Sequence, residues 1–307
     1  PMVFKRFTKG WMADEFIAAA EASYTEMQTT TAGHFFHPKP YVRLLGDIEE
    51  RNNWDIKSAE PMLQAFMQES KANENSSIKA DVVGPVEHAG FLDTELFLSE
   101  MRTYFGNTLV DGAYHPEFVT HDDSGVTYSP TEGEAIRANR LVFADGPRAL
   151  RNSYFDWVPF QPVKGEVITI YSAGLKSETI YSKGVFICPI GDNLYNVGAT
   201  YDWRELNTEP TEAGLTSLKE KLDAMLNVSY EVVAHRAGIR PAVRGRRPLL
   251  GNHPMYKNIW LFNGMGSKAV LMAPYWAKHI IRHWHQEEPI SEEVNLKRFY
   301  SFYNPES

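Results

Sequence analysis

The stretch "NIWLFNGMGSKAVLMAP" (258–274) decides how this chain is read. Ile259 to Phe262 is an apolar run with the composition of a strand, and Gly264-Met265-Gly266-Ser267-Lys268-Ala269 follows it. In letters this is G-x-G-x-x-A between a strand and a helix, the dinucleotide-phosphate fingerprint. That fingerprint also requires a return strand in a βαβ unit and an acid about 20 residues further on. Glu287 and Glu288 stand near that spacing, but "HQEEPISEEVNLKRF" (285–299) is polar and broken by proline. It offers no return strand, so the Rossmann reading fails and the acid spacing is coincidence. The turn keeps some chemistry all the same. Its glycines permit close backbone approach, and a helix behind them presents unpaired N–H groups to an electron-rich ligand atom. Taken alone, these letters also fit a plain strand-to-helix turn with no ligand.

Working outward, 307 residues suffice for two packed domains with a sizeable core, and 43% apolar with 13% aromatic residues argues against disorder. A net charge of −8 argues against broad nucleic-acid or anionic-membrane binding and suits a soluble, cytoplasmic protein, monomer or homo-oligomer. The single cysteine, Cys188, excludes an internal disulfide and any CxxC redox or zinc site. No apolar run reaches the ~18 residues of a membrane span.

Helical spacing is predicted over 12–28, 58–70, 92–105 with Asp93 as N-cap, 211–227, and about 269–284. Residues 41–54 read as a short strand running into a polar connection, and 71–77 as a loop. Strand patterns fall at 117–130 (a hairpin), 137–146, 163–171, 178–189 and 193–200, with Gly191-Asp192-Asn193 as a hairpin turn. The fold class is therefore α+β, with interleaved helices and mixed strands.

Upstream of the opening stretch lies "AGIRPAVRGRRPLLGNHP" (237–254), with Gly238-Ile239-Arg240-Pro241 and Pro248-Leu249-Leu250-Gly251. Together with Gly264-Met265-Gly266 and Met272-Ala273-Pro274, this order resembles the C-terminal flavin-binding part of the D-amino-acid oxidase/glycine oxidase superfamily. "LVFADG" (141–146), "QPVKGEVITI" (161–170) and "ICPIGDNLYNVGAT" (187–200) fit the same family pattern. The resemblance implies an α/β-type FAD-binding domain over 80–150 and 232–307. An antiparallel or mixed-sheet substrate domain would then cover 1–79 and 151–231. Two departures stand out. The family's opening strand, G-x-G-x-x-G and helix are not in this sequence, so a βαβ unit of roughly fifty residues is expected upstream of Pro1. Gly245 also stands where some relatives carry an aspartate.

The resemblance further implies oxidation of the C–N bond of an amino acid or secondary amine by hydride transfer to FAD, with the imine product hydrolysed. Such chemistry leaves the protein to orient and to supply electrostatics, with no catalytic side chain of its own. Arg240 matches the substrate-carboxylate arginine, where a planar, permanently charged fork outperforms a lysine; a structural arginine capping carbonyls is the other reading. Tyr181 and Tyr195 are expected as pocket contacts, or simply as sheet aromatics. Phe118, Val119, Ala144, Gly146, Gly238, Ile239, Gly264, Met265, Gly266, Ser267 and Lys268 are expected along the cofactor, the last five at the pyrimidine edge of the ring. The flavin is expected to be non-covalent, because Cys188 lies away from the segment that carries the covalent link in some relatives. Two alternatives accompany this reading: a catalytically inactive binding fragment that does not hold FAD, and a tRNA-modifying amine oxidase of the same superfamily. His279, His283 and His285 could suggest a metal, but their place at a helix C-terminus fits surface residues that complement the dipole. No metal site is expected. The arginines at 236, 240, 244, 246 and 247 fit loop ion pairs or small anions better than nucleic acid.

Overall fold

β-Branched runs between residues 163 and 198 build the centre of a mixed sheet in the computed structural model, which describes residues 7–112, 114–130, 133–286 and 288–304. The chain divides into two compact units, Pro1–Tyr104 with Lys164–Gly238, and Phe105–Val163 with Ile239–Ser307. These bounds differ from those expected from sequence. Residues 82–86 pair with residues 41–45, which draws the segment 80–104 into the first unit.

In the first unit eight strands lie in the order Glu231–Arg240, Val163–Tyr171, Leu194–Gly198, Val185–Gly191, Ile180–Lys183, Tyr41–Leu45, Val82–Val86 and Lys71–Ala72. Ile180–Lys183 runs parallel to Tyr41–Leu45 and antiparallel to Val185–Gly191. The period-2 alternation puts Ile168, Ile170, Tyr181, Ile187, Tyr195 and Val197 on one face, packed with Leu218 and Leu222 of the helix Glu212–Asp223. Full burial of each such aliphatic side chain contributes roughly 1.5–3 kcal/mol, against 0–1 kcal/mol for an exposed ion pair such as Lys57–Glu60. The sheet–helix core therefore holds this unit.

Four local expectations are corrected. Residues 48–54 are not a polar connection: the helix Ile48–Ser58 starts there because Asp47 Oδ1 accepts the Glu50 N–H at 2.7 Å. Trp54 on that helix is fully buried, and Gly84 is required opposite it, since a Cβ there would lie 2.2 Å from the indole. The helix expected at 58–70 is absent. Glu60 precedes Pro61, which disfavours helical backbone, and the chain continues in turns such as Leu63 N–H to Glu60 O at 2.8 Å. The single strand expected over 178–189 is two, folded at Gly184 with φ +76°, and the loop expected at 71–77 opens with the two-residue strand Lys71–Ala72.

The second unit has a sheet in the order Leu249–Asn252, Ile259–Asn263, Leu141–Phe143; the first pair is antiparallel and the second parallel. An antiparallel meander, Val119–Asp122, Gly125–Tyr128 and Ile136–Ala138, packs its Val126 with Phe143, Leu249, Ile259 and Leu261. The strand expected over 137–146 is divided between two sheets, its start in Ile136–Ala138 of the meander and its middle in Leu141–Phe143 at a sheet edge, where only Phe143 is buried. The helix Ala269–Gln286 follows Ile259–Asn263 after a short 3-10 turn, Gly266–Lys268.

Candidate functional site

The parallel pair Leu141–Phe143 and Ile259–Asn263 ends in two turns, Ala144-Asp145-Gly146 and Gly264-Met265-Gly266. Both lie at the carboxyl ends of their strands, the edge at which open α/β sheets bind ligands. Gly146, Gly264 and Gly266 have φ of +56°, +76° and +56°. A Cβ at Gly146 would meet nothing within 4 Å, whereas one at Gly264 would press on Leu249 Cγ at 3.1 Å and Val243 Cγ1 at 3.2 Å. So one turn faces open space with bare backbone and the other is seated on the core.

The segment after Arg240 is fastened beside the second turn. Ala242 N–H donates to Arg240 O at 2.8 Å, and Ala242 O accepts from Gln161 N–H at 2.7 Å. The Cβ position of Gly266 lies 3.7 Å from Ala242 Cβ. Within this unit the fold thus gathers Ile239, Arg240, Ala144, Gly146, Gly264, Met265, Gly266, Ser267 and Lys268 from three separate stretches of chain. Met265 is buried, Ser267 is exposed, and Lys268 is half-buried with its ammonium pKa brought down by desolvation to about 8. The helix behind, Ala269–Gln286, adds the positive end of its dipole. Open glycine backbone, a helix N-terminus and a lysine suit the electron-rich pyrimidine edge of a flavin ring, so the residues present fit that group.

The other expected positions lie elsewhere. Tyr181 and Tyr195 are 5% and 3% exposed and sit in the sheet–helix core of the first unit. Their phenols are engaged there: Tyr181 Oη accepts from Asn75 Nδ2 at 3.0 Å, and Tyr195 Oη from Ser177 N–H at 3.3 Å. Both have the placement of the sheet-aromatic alternative: the alternation points them at the helix and puts Thr169, Cys188 and Asn196 on the opposite face. Gly238 belongs to the first unit, and a Cβ there would meet nothing within 4 Å. Phe118 closes a 3-10 turn beside Tyr128, and Val119 packs on the second unit's core. Cys188 is buried, with its thiol pushed up to about 12 by desolvation.

Arg236 pairs with Glu95 at 2.9 Å and Arg247 with Glu293 at 3.4 Å. At the end of the last helix, Glu288 ties to Arg282 at 2.6 Å and to His279 at 3.3 Å, while its carbonyl meets His283 Nδ1 at 2.6 Å. Glu287 lies outside the described residues. Among the described residues no group of three or more His, Cys, Asp or Glu could hold a metal, and no helix is long and apolar enough to cross a membrane.

Sequence reasoning missed Asn263, which is 4% exposed and bridges the two turns. Its Nδ2 donates to Asp145 Oδ1 at 3.1 Å and to Gly146 O at 2.9 Å, and its Oδ1 accepts from Gly264 N–H at 2.8 Å. The available signal was a polar residue closing an otherwise apolar strand, directly before the glycine.

A sheet whose parallel strand ends carry two glycine turns, with a helix N-terminus behind, has the α/β arrangement in which ligands bind at the carboxyl ends of the strands. The family comparison makes this specific. The model of the FAD-dependent oxidoreductase (DAO) family matches residues 15–283, and the chain belongs to that family. Glycine oxidase of Bacillus licheniformis is 30% identical over 268 residues, 77% of this chain and 72% of the relative. Glycine oxidase of Bacillus subtilis (strain 168) is 28% identical over 162 residues, and that match spans 50% of this chain but only 42% of the enzyme. Among solved structures, glycine oxidase from Bacillus cereus superposes with a TM-score of 0.73 at 16% identity, over 91% of this chain and 82% of that one. An iminodiacetate oxidase from Chelativorans sp. BNC1 gives 0.74 at 16% identity, over 94% and 82%.

Proposed function

We propose that the chain is a flavin-dependent oxidoreductase that oxidises the C–N bond of an amino acid or secondary amine, its imine product then hydrolysing. The observation that carries this is the packing of Ala242, two residues from Arg240, against Gly266 of the glycine turn. It supports the reading by bringing the chain two residues after Arg240, the guanidinium fork expected for a carboxylate, next to the turn suited to the ring. FAD, when bound, supplies the hydride acceptor. Arg240 holds the substrate carboxylate bidentately and so fixes the adjacent C–N carbon. Lys268, charged below about pH 8, and the helix N-terminus favour negative charge at the ring's pyrimidine edge. The second unit is assigned the cofactor and the first the substrate-domain role, with non-covalent flavin and a cytoplasmic setting. The net charge of −8 weighs against the tRNA-modifying alternative.

Titration of FAD against the chain tests the cofactor. Micromolar binding is expected, and its absence would favour the inactive-fragment alternative. Glycine, sarcosine, proline and D-amino acids are then screened for anaerobic bleaching of the bound flavin. Arg240→Lys is expected to raise KM roughly tenfold or more for carboxylate-bearing substrates. Failure of every amine to bleach the flavin would reject the reading.

A further inference from the structure

We infer that Asn263 is a positioning residue that locks the two glycine turns into one platform for the flavin ring, a role that rests on the cofactor reading above. The parallel ladder between Ile259–Asn263 and Leu141–Phe143 reaches only Leu261 opposite Phe143. The turns beyond that point contain glycines of positive φ, which have no Cβ to set their direction. The Asn263 amide takes over the connection. It spends both donors on Asp145 and Gly146 and its carbonyl on Gly264 N–H, spanning 118 residues of sequence. Asp145 is completed from the other side by Asn152 Nδ2 at 3.4 Å. Asn263 and Asn152 are 4% and 8% exposed, so water does not substitute for these bonds without rearrangement.

Only an amide satisfies this set. Aspartate at 263 would face the Asp145 carboxylate across a contact that now measures 3.1 Å, and it has no donor for Gly146 O. An apolar residue would orphan the buried Gly264 N–H and two part-buried acceptors, Asp145 Oδ1 and Gly146 O. The glycine turns alone would still form. What the amide adds is their mutual position.

The test uses the full chain and four variants: Asn263→Asp, Asn263→Thr, Asp145→Asn and the double exchange Asn263→Asp with Asp145→Asn. Unfolding midpoints, FAD affinity, the visible absorption bands and the midpoint potential of bound flavin are measured for each. Asn263→Asp is expected to weaken FAD binding roughly 10- to 100-fold and to shift the bands and potential of the flavin that remains bound. The double exchange swaps amide and carboxylate between the two positions, so a donor again faces an acceptor. It is expected to recover most of that loss, leaving the effect of an unpaired Gly146 carbonyl. Asn263→Thr keeps an acceptor for Gly264 N–H and provides a milder variant should the aspartate not fold; a smaller shift of the same sign is expected. Unchanged affinity and spectrum in Asn263→Asp, or in Asn263→Thr if the aspartate does not fold, would overturn the role, as would a double exchange no better than the single one. Absence of FAD binding by the unsubstituted chain would instead overturn the cofactor reading, and this role with it.

Discussion

Replacing Gly264 by alanine is expected to destabilise the second unit by about 2–5 kcal/mol, and replacing Gly266 by only about 1–2 kcal/mol. Both residues have left-handed backbone, at φ +76° and +56°, so each substitution carries the ~1–2 kcal/mol cost of an L-residue there. The difference comes from the surroundings. At Gly264 the new methyl would sit 3.1 Å from Leu249 Cγ and 3.2 Å from Val243 Cγ1, and both of those residues are fully buried. Neither can withdraw, so overpacking adds about 1–3 kcal/mol. At Gly266 the nearest atom is Ala242 Cβ at 3.7 Å, an ordinary contact with no added cost. Urea unfolding of the full chain, followed by tryptophan fluorescence, reads the contrast. At a slope near 2 kcal/mol/M, a gap of about 2 kcal/mol between the variants separates their midpoints by about 1 M. Equal midpoints, or a larger loss at Gly266, would refute the claim that Gly264 is seated tightly on the core while Gly266 makes only ordinary contacts.

Three further outcomes follow from the same structure. Lys268→Met is expected to lower the midpoint potential of bound flavin and to remove a step in that potential near pH 8, because the wild-type ammonium loses its charge as pH rises through its depressed pKa; potentiometry across pH 6–9 checks this. His253 is buried, its pKa is brought down to about 4 by desolvation and then by His121, and its Nδ1 accepts the Met255 and Tyr256 N–H groups. The unfolded chain therefore binds a proton before the folded one, and stability is lost as pH falls from about 6.5 to 4, by about 3 kcal/mol. His253→Asn is expected to flatten that slope in thermal melts. Tyr181→Phe removes the acceptor of Asn75 and is expected to cost about 1 kcal/mol of stability with no change in KM for any amine that bleaches the flavin. A selective rise in KM would return Tyr181 to the substrate pocket.

Some of this was legible in the letters. The helices Thr94–Phe105 and Glu212–Asp223 carry their own caps, Asp93 accepting the Leu96 N–H and Thr211 the Gly214 N–H, so short-range chemistry fixes where they start. Gly191, Asp192 and Asn193 all have positive φ, which is what that run of residue types announces. The glycine turn and the order of motifs around it were equally visible, and they lead to the same family that the comparisons give.

What lay beyond the sequence depends on contacts distant along the chain. Period-2 alternation says that Tyr181 and Tyr195 share a face, but only the packing of the helix Glu212–Asp223 decides that this face is the core. The start of the helix Ile48–Ser58 was readable from Asp47, yet its seat depends on Trp54 meeting Gly84 in a strand that pairs elsewhere. Asn263 looks like one more polar residue before a turn until the strand Leu141–Phe143 arrives alongside and gives its amide three partners. Local propensity determined the turns by themselves; their common platform follows from hydrogen bonds that exist only once two remote strand ends are neighbours.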